Sequence, residues 1–490
     1  MSSTLAPKLA FARAVGVLSR MRGGGTSVPG KVLMRLDSGA IGALGARLPL
    51  GSVLVSATNG KTTTTAMAAG IFEQAGVPLV HNRAGANMAG GVATTLLSAT
   101  RRHGRMAGEL GLFEVDELWL DEVAAQLHPR FVLLGNLFRD QLDRFGELEA
   151  IADSWARALA GSPHPLDSEA AASPGAAPPS REPAGLILNA DDPLIADLGR
   201  ERSGVLYFGV DDDSLALADM AHAADAKHCR RCGAPYVFEA VYLGHLGHYH
   251  CPSCGQSRPE PTVVASHVTL EGVRGARFTL RTGAGEAEVA LRLPGLYNIY
   301  NALAAAALAT ALQIDLESIV AGLQSTRAAF GRAETVMLSL AGPANGSRER
   351  DPQRELRILL IKNPAGANEV LRTLAIEPGE HDLLGVLNDN IADGRDISWI
   401  WDADFELLAG RVRRATCSGS RAPELALRLK YAGIDPARIT VQPELPIALR
   451  EAAADQPREQ TPLYALPTYT AMLSLRELLV TRGEVSSAWS

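Results

Sequence analysis

From Ser52 onward the chain reads as short apolar runs separated by longer segments whose apolar residues recur at helical intervals. Residues 53–57, 110–115, 131–135, 186–189 and 205–209 are near-continuous apolar stretches, the pattern of strands covered on both faces. Their alternation with helical segments predicts a mostly parallel sheet flanked by helices. Residues 263–270, 276–280 and 287–293 follow one another too closely for crossover helices and predict antiparallel strands; residues 298–325 predict a helical stretch that closes this unit. Alternation then resumes, with predicted strands at 356–362, 382–388, 412–417, 439–442 and 462–466, which makes a second α/β unit.

This pattern divides the chain into a helical lead-in over residues 1–50 with a glycine joint at 23–25, a central unit over 51–330, and a C-terminal unit over 331–490. Two stretches interrupt it. Residues 161–184, rich in Ala, Pro, Ser and Gly, and residues 341–355 predict polar surface insertions. A length of 490 residues agrees with two or three domains, and 47% hydrophobic with 21% charged residues describes a globular protein. The net charge of -7 offers no global attraction for nucleic acid. No apolar run is long enough to span a bilayer, the nearest being the Ala-rich residues 300–314, which predict a buried helix. The N-terminus is basic and amphipathic without an uninterrupted apolar core, so it predicts a packed helix rather than a cleaved signal, and five cysteines, four of them in two close pairs, fit metal binding in a reducing compartment, hence a cytoplasmic protein.

The candidate chemistry begins at the first strand. Thr58, Asn59, Gly60 and Lys61 form a tight turn between that strand and a helix opening at Thr62 and Thr63. Glycine lets backbone approach a phosphate, the helix N-terminus favours negative charge, Lys61 supplies a cation, and the Thr62 hydroxyl is a Mg²⁺ ligand. A strict phosphate-loop motif also has Gly at position 55, which is Val here. Mg²⁺ further requires a carboxylate at a neighbouring strand end, and Glu114 is the first choice, with Asp116 and Glu117 expected to begin the next helix; the alternative for the whole acidic stretch is a solvated N-terminus of that helix.

Four of the five cysteines form two Cys-x-x-Cys-Gly pairs, Cys229 with Cys232 and Cys251 with Cys254, within residues 227–256. Each pair makes a knuckle, and four thiolates complete a closed tetrahedral Zn²⁺ site, a structural staple with no position open for catalysis. His228, His248 and His250 flank these ligands and read as surface residues. Cys417, after a strand, lacks the glycine and histidine context of a glutaminase nucleophile.

Thr58–Thr62, Glu114 and the helix start Tyr297-Asn298-Ile299-Tyr300-Asn301-Ala302 together resemble the Mur ligases and folylpolyglutamate synthases. Residues 81–88, 138–147 and 387–402 narrow the resemblance to the MurT family, the Mur-ligase-like subunits of lipid II isoglutaminyl synthases. The resemblance implies a Mur-ligase-like central ATPase domain with an inserted four-cysteine zinc ribbon, followed by a Rossmann-like α/β domain. It implies ATP with Mg²⁺, Asn298 and Asn301 near the adenine, Arg332 near the phosphates, and Asn87 at the substrate. It also implies a GatD-like glutamine amidotransferase partner docked on the C-terminal domain, whose Cys-His pair is completed by Asp396. From the residues alone, Asp393 and Asp402 compete for that role. The implied reaction is ATP-dependent amidation of the D-glutamate α-carboxylate of lipid II, at or near the inner face of the membrane. Where amino-acid-adding relatives carry an Asp-Ser-Lys-like motif, this chain has residues 362–368, KNPAGAN, which argues against amino-acid addition. The retained Lys61, Thr62 and Glu114 argue against a non-catalytic scaffold.

Overall fold

The computed structural model describes residues 5–21, 27–82, 86–101, 104–140, 148–159, 184–218, 220, 224–327, 332–340, 353–454 and 461–485. Nine strands form one sheet in the order Gly285–Leu291, Ala276–Thr282, Val263–Leu270, Leu206–Val210, Gly185–Asn189, Phe131–Leu134, Ser52–Ser56, Leu110–Glu114, Leu79–His81. The six from Leu206–Val210 to Leu79–His81 pair in parallel, and Val263–Leu270 continues them in parallel before the sheet reverses into an antiparallel edge. The antiparallel strands therefore extend the main sheet.

The continuous apolar runs have a direct explanation. Along Ser52–Ser56, Val53 and Val55 face one core with Met67, Ile71, Ile299 and Leu303, whereas Leu54 faces a second core with Leu44, Val92, Leu120 and Trp155. Every strand residue is covered, so periodicity two is lost from the sequence. The lead-in contributes to the second core through helices Leu5–Met21, Val28–Leu36 and Ala40–Gly45, burying Leu5, Leu9, Leu33, Ile41 and Leu44. The glycines at 23–25 lie outside the described residues.

The helical stretch over 298–325 is two helices, Leu296–Ala311 and Leu316–Ser325. The break is capped: the Asp315 carboxylate accepts the Ser318 N–H at 2.8 Å, and Gln313 takes a left-handed φ of 60°. Among the described residues, no helix is long and apolar enough to cross a membrane.

A second sheet has the order Arg332–Ser339, Gln353–Leu359, Leu463–Pro467, His381–Val386, Val412–Ser418, Ile439–Val441, parallel except for its first pair. Arg332–Ser339 is an edge strand that the apolar pattern did not announce. Residues 353–355, expected within the polar insertion, belong instead to the strand paired with it. The rest of that insertion, and residues 161–183 of the first, lie outside the described residues.

Candidate active site at the mouth of the central sheet

Ser52–Ser56 delivers the loop Thr58-Asn59-Gly60 to the C-terminal edge of the parallel sheet, and Lys61–Gln74 leaves it as a helix. Gly60 has φ of 87°, a left-handed conformation, and a Cβ there would stand 2.0 Å from Asn301 Oδ1. No other residue fits. The first N–H groups of the helix have no intrahelical acceptor and face the cleft with the positive end of the helix dipole. The loop is braced from the neighbouring strand end: Asn136 Oδ1 accepts the Asn59 N–H at 2.9 Å, its amide donates to Asn59 O at 2.9 Å, and Phe138 N–H donates to Thr58 Oγ1 at 3.1 Å.

The cleft has a volume of about 340 Å³, within the range of small-molecule sites. Thr58, Asn59, Gly60, Lys61, Thr62 and Thr63 line it together with Asn87, Glu114, Asn298 and Asn301. Glu114 is buried, and Asn82 fixes its backbone by accepting the Glu114 N–H at 2.9 Å and donating to its carbonyl at 2.8 Å. Asn298 and Asn301 share a helix face: the Asn301 amide donates to Asn298 Oδ1 at 3.1 Å, and Asn301 Oδ1 accepts the Thr64 hydroxyl at 3.2 Å. Asn87 borders the cleft, and its carbonyl accepts the Asp116 N–H at 2.9 Å.

Glu117 opens the short 3₁₀ turn Glu117–Trp119 as expected, with the Asp116 carboxylate as the cap, but it is buried and pairs with Lys61 at 2.8 Å where a solvated acid was the alternative. Burial works against the Lys61 ammonium. The charge of Glu117 and its hydrogen bond, with Glu114 and Asp116 behind, outweigh that and hold Lys61 above the usual lysine range.

Sequence reasoning also missed the contribution of the second sheet. Lys362 Nζ donates to Thr58 O at 3.2 Å and to Asp140 Oδ2 at 2.5 Å, and the Asn363 amide donates to Asn59 Oδ1 at 3.0 Å. Residues 362–368, noted for lacking a motif, are therefore the stretch that reaches the phosphate loop. Their lysine was visible, but its spacing from residue 58 carries no local signal. The Arg332 side chain lies outside the described residues, as do residues 83–85 and 141–147 of the family-like stretches.

The four cysteines converge. Their sulfur atoms all lie within 4.8 Å of one another, with Cys229–Cys254 at 3.6 Å and Cys232–Cys251 at 3.4 Å. Sulfurs bonded to one tetrahedral zinc stand about 3.8 Å apart, from a Zn–S length near 2.3 Å. The knuckles have the expected glycine turns, Gly233 at φ 74° and Gly255 at φ 72°. The flanking histidines face elsewhere: His250 pairs with Glu239 at 2.5 Å, and His248 Nε2 lies 3.2 Å from Val210 O. The hairpin Val237–Leu243 and Leu246–His250 rises between the knuckles, and Leu243 and Leu246 line the cleft.

In the second sheet, Cys417 is fully buried and burial pushes its thiol up to about 12, unsuited to a nucleophile. Asp396 is exposed and accepts the Ser398 N–H at 2.8 Å, which with the Ser398 side chain holds its carboxyl below the usual range. Asp402 is exposed too. Asp393 is buried and accepts the Thr470 N–H at 2.7 Å as well as its hydroxyl.

A doubly covered parallel sheet with a Gly-Lys-Thr turn, a Glu-ended neighbouring strand and a second α/β domain leaning on the loop defines a Mur-ligase-type protein. Residues 55–165 match the Mur ligase middle domain and residues 360–472 the MurT ligase C-terminal domain. The MurT subunit of lipid II isoglutaminyl synthase from Streptococcus pneumoniae is 33% identical over 468 residues, covering 95% of this chain and 94% of its own. Its counterpart from Staphylococcus aureus is 29% identical, covering 93% of each. The chain belongs to the MurT family. Among solved structures, the fold matches a pseudomurein peptide ligase type C from Methanothermus fervidus at TM-score 0.62, 21% identity, and 90% and 80% coverage of the two chains. It also matches Mycobacterium tuberculosis folylpolyglutamate synthase complexed with ADP at TM-score 0.56, 16% identity, and 90% and 93% coverage.

Proposed function

We infer that the chain is the synthetase half of a two-protein amidating enzyme of peptidoglycan synthesis. The D-glutamate α-carboxylate of the lipid II stem peptide attacks the γ-phosphate of ATP and forms an acyl phosphate with release of ADP. Ammonia from a GatD-like glutaminase subunit then displaces phosphate and leaves D-isoglutamine. The observation that carries this reading is the half-buried Lys61 at the phosphate loop, sharing one cleft with Glu114 and Glu117, in a chain whose MurT likeness runs through both domains.

The residues fit such a reaction. Lys61 and the helix N-terminus offset charge on the transferred phosphate, and Thr62 with Glu114 offers oxygen ligands for Mg²⁺, which neutralises the triphosphate when bound. Asn298 and Asn301 present amide groups to the nucleotide, and Asn87 borders the space for the peptide. The second domain reaches the same loop through Lys362, the kind of contact that brings a nucleophile source to the acyl phosphate before water arrives. Cys229, Cys232, Cys251 and Cys254 would hold Zn²⁺ as four thiolates, a set whose contribution is to fold stability rather than to catalysis. Asp396, exposed on the second domain, is the carboxylate offered to the partner's Cys-His pair. The enzyme works in the cytoplasm, where ATP and the lipid-linked stem peptide meet.

Reconstitution tests the reading. The purified chain with lipid II and ATP is expected to amidate with ammonium alone, and with glutamine when a GatD-like subunit is added. Absence of amidation under both conditions, with both proteins folded, would overturn it; ATP-dependent addition of an amino acid instead would return it to the standard ligases.

A further inference from the structure

The four cysteines are far from the cleft in sequence, yet the hairpin they anchor ends inside it. Leu243 and Leu246 at the hairpin tip are buried and line the cleft beside Leu293, Tyr297 and Asn298. They belong to the same apolar core as Leu296, Ile299 and Leu303 of the helix carrying Asn298 and Asn301. Between them, Gly244 takes φ of 61° and its Cβ position stands 2.8 Å from the Phe138 ring. The fully buried His245 ring lies 4.7 Å from the same Phe138, and Phe138 N–H is the group that braces Thr58 of the phosphate loop. The tip therefore touches the phosphate loop through a single residue.

The base of the hairpin is held equally firmly. Arg258, just beyond the second knuckle, donates to Asp191 at 2.6 Å; Asp191 also accepts the Tyr300 hydroxyl at 2.7 Å, and its carbonyl accepts the Gly247 N–H at 2.9 Å. Gln256, hydrogen-bonded through its carbonyl to Cys251 N–H at 2.6 Å, accepts the Tyr236 hydroxyl at 2.9 Å. Knuckles, hairpin and the Tyr300-bearing helix form one bonded unit. A two-stranded hairpin is marginal by itself, so closing its base on the knuckles adds to the core contacts that hold its tip in position.

A nucleotide whose phosphates rest on Gly60 and Lys61 must lay its base elsewhere in the cleft. The base has apolar faces and polar edges. Half-buried Tyr297 and the nearly enclosed Leu243, Leu246 and Leu293 give the cleft an apolar side, and the Asn298 amide, which donates one N–H to Pro294 O at 2.7 Å and accepts from Asn301 at 3.1 Å, keeps a second N–H for a polar edge. We propose that the cysteine ribbon is part of the nucleotide site: Leu243 and Leu246 back the apolar side of the cleft where the base lies, so closing the ribbon on its metal and binding nucleotide favour one another. This rests on the reading of the cleft as an ATP site. The ribbon is then a determinant of nucleotide affinity as well as a staple.

Calorimetry with ADP on the zinc-loaded full chain tests it without any amidation assay. Zinc is removed by chelation, the chelator is desalted away and Mg²⁺ restored, and folding is checked by far-ultraviolet circular dichroism. ADP is expected to bind at least about fivefold more weakly without zinc, and to recover when zinc is returned. By reciprocity, saturating ADP tightens the zinc dissociation constant by the same factor. Leu243→Ala with Leu246→Ala, in protein still holding zinc, should weaken ADP but leave inorganic tripolyphosphate, which lacks the base, bound as before. An unchanged ADP affinity in folded zinc-free chain overturns the coupling, as does a zinc constant indifferent to ADP where zinc-free chain unfolds. Equal weakening of tripolyphosphate in the double variant overturns the placing of the base. Failure of zinc-loaded wild-type chain to bind ADP at all would sink the ATP reading itself, a distinct result.

Discussion

At the cleft, Glu117 is buried and paired with Lys61 at 2.8 Å, and Glu114 sits beside it on a strand end covered on both faces. On the second domain, Asp396 stands exposed in a turn and accepts a backbone N–H of its own loop. The two acidic centres differ in enclosure, and the difference has a chemical reading. A carboxylate that works on phosphate charge within one chain gains from a dry site with a fixed counter-cation. A carboxylate offered to a histidine on another protein has to wait at the surface, and its desolvation comes with docking. In the proposed reaction, enclosure thus separates the chemistry assigned to this chain from the chemistry assigned to its partner.

The largest expected effect breaks the comparison at its exposed end. Asp396→Ala, assayed in the reconstituted complex, should lower glutamine-dependent amidation on the order of 10³- to 10⁴-fold and leave ammonium-dependent amidation within about twofold of wild type. Equal loss with both nitrogen sources would exclude a triad role and place Asp396 in the synthetase machinery or its folding. Next comes Lys61→Ala, at the enclosed end. It removes the cation facing the phosphates and leaves Glu117 buried without it, so amidation should fall on the order of 10²- to 10³-fold with either nitrogen source. A loss confined to glutamine would contradict the assignment of Lys61 to ATP chemistry. Partial rescue by Glu117→Gln in the melting temperature, without rescue of activity, would separate the orphaned-charge cost from the catalytic one.

The same contrast explains what was legible in the sequence. The parallel core showed itself because full burial writes continuous apolar runs, and 53–57 or 131–135 needed no partner to be read. The edge strand Arg332–Ser339 did not, since its neighbour lies across a polar insertion and only one face is covered. Gly60, Lys61 and the cysteine pairs were legible because their chemistry is packed into a few consecutive positions. Only the place of Glu117 was legible: local pattern shows an acid at a helix start, and its burial against Lys61 arises from the return of the sheet 56 residues later. The contact of Lys362 and Asn363 with the phosphate loop was illegible for the same reason, since they lie 304 residues from the positions they touch. The ribbon was recognised as a metal site, but its reach into the cleft depends on the tertiary path of a hairpin.

The smallest effect sharpens the comparison within one loop. Asp393 and Asp396 are three positions apart, and the residues alone left them as rivals. Asp393 accepts both the N–H and the hydroxyl of Thr470, in the first turn of the helix Tyr469–Thr481, while Thr470 Oγ1 also accepts the amides of Asn388 at 3.1 Å and Asn390 at 2.8 Å. Asp393→Ala strips a buried charged acceptor from that helix start and should cost about 2–3 kcal/mol of stability. Asp396→Ala removes one exposed turn cap and should cost no more than about 1 kcal/mol. Chemical denaturation of the two variants, followed through the C-terminal transition, reads the difference directly. A fold cost at Asp396 as large as at Asp393 would mean that Asp396 is held for structure, and exposure would then no longer mark the carboxylate reserved for a partner.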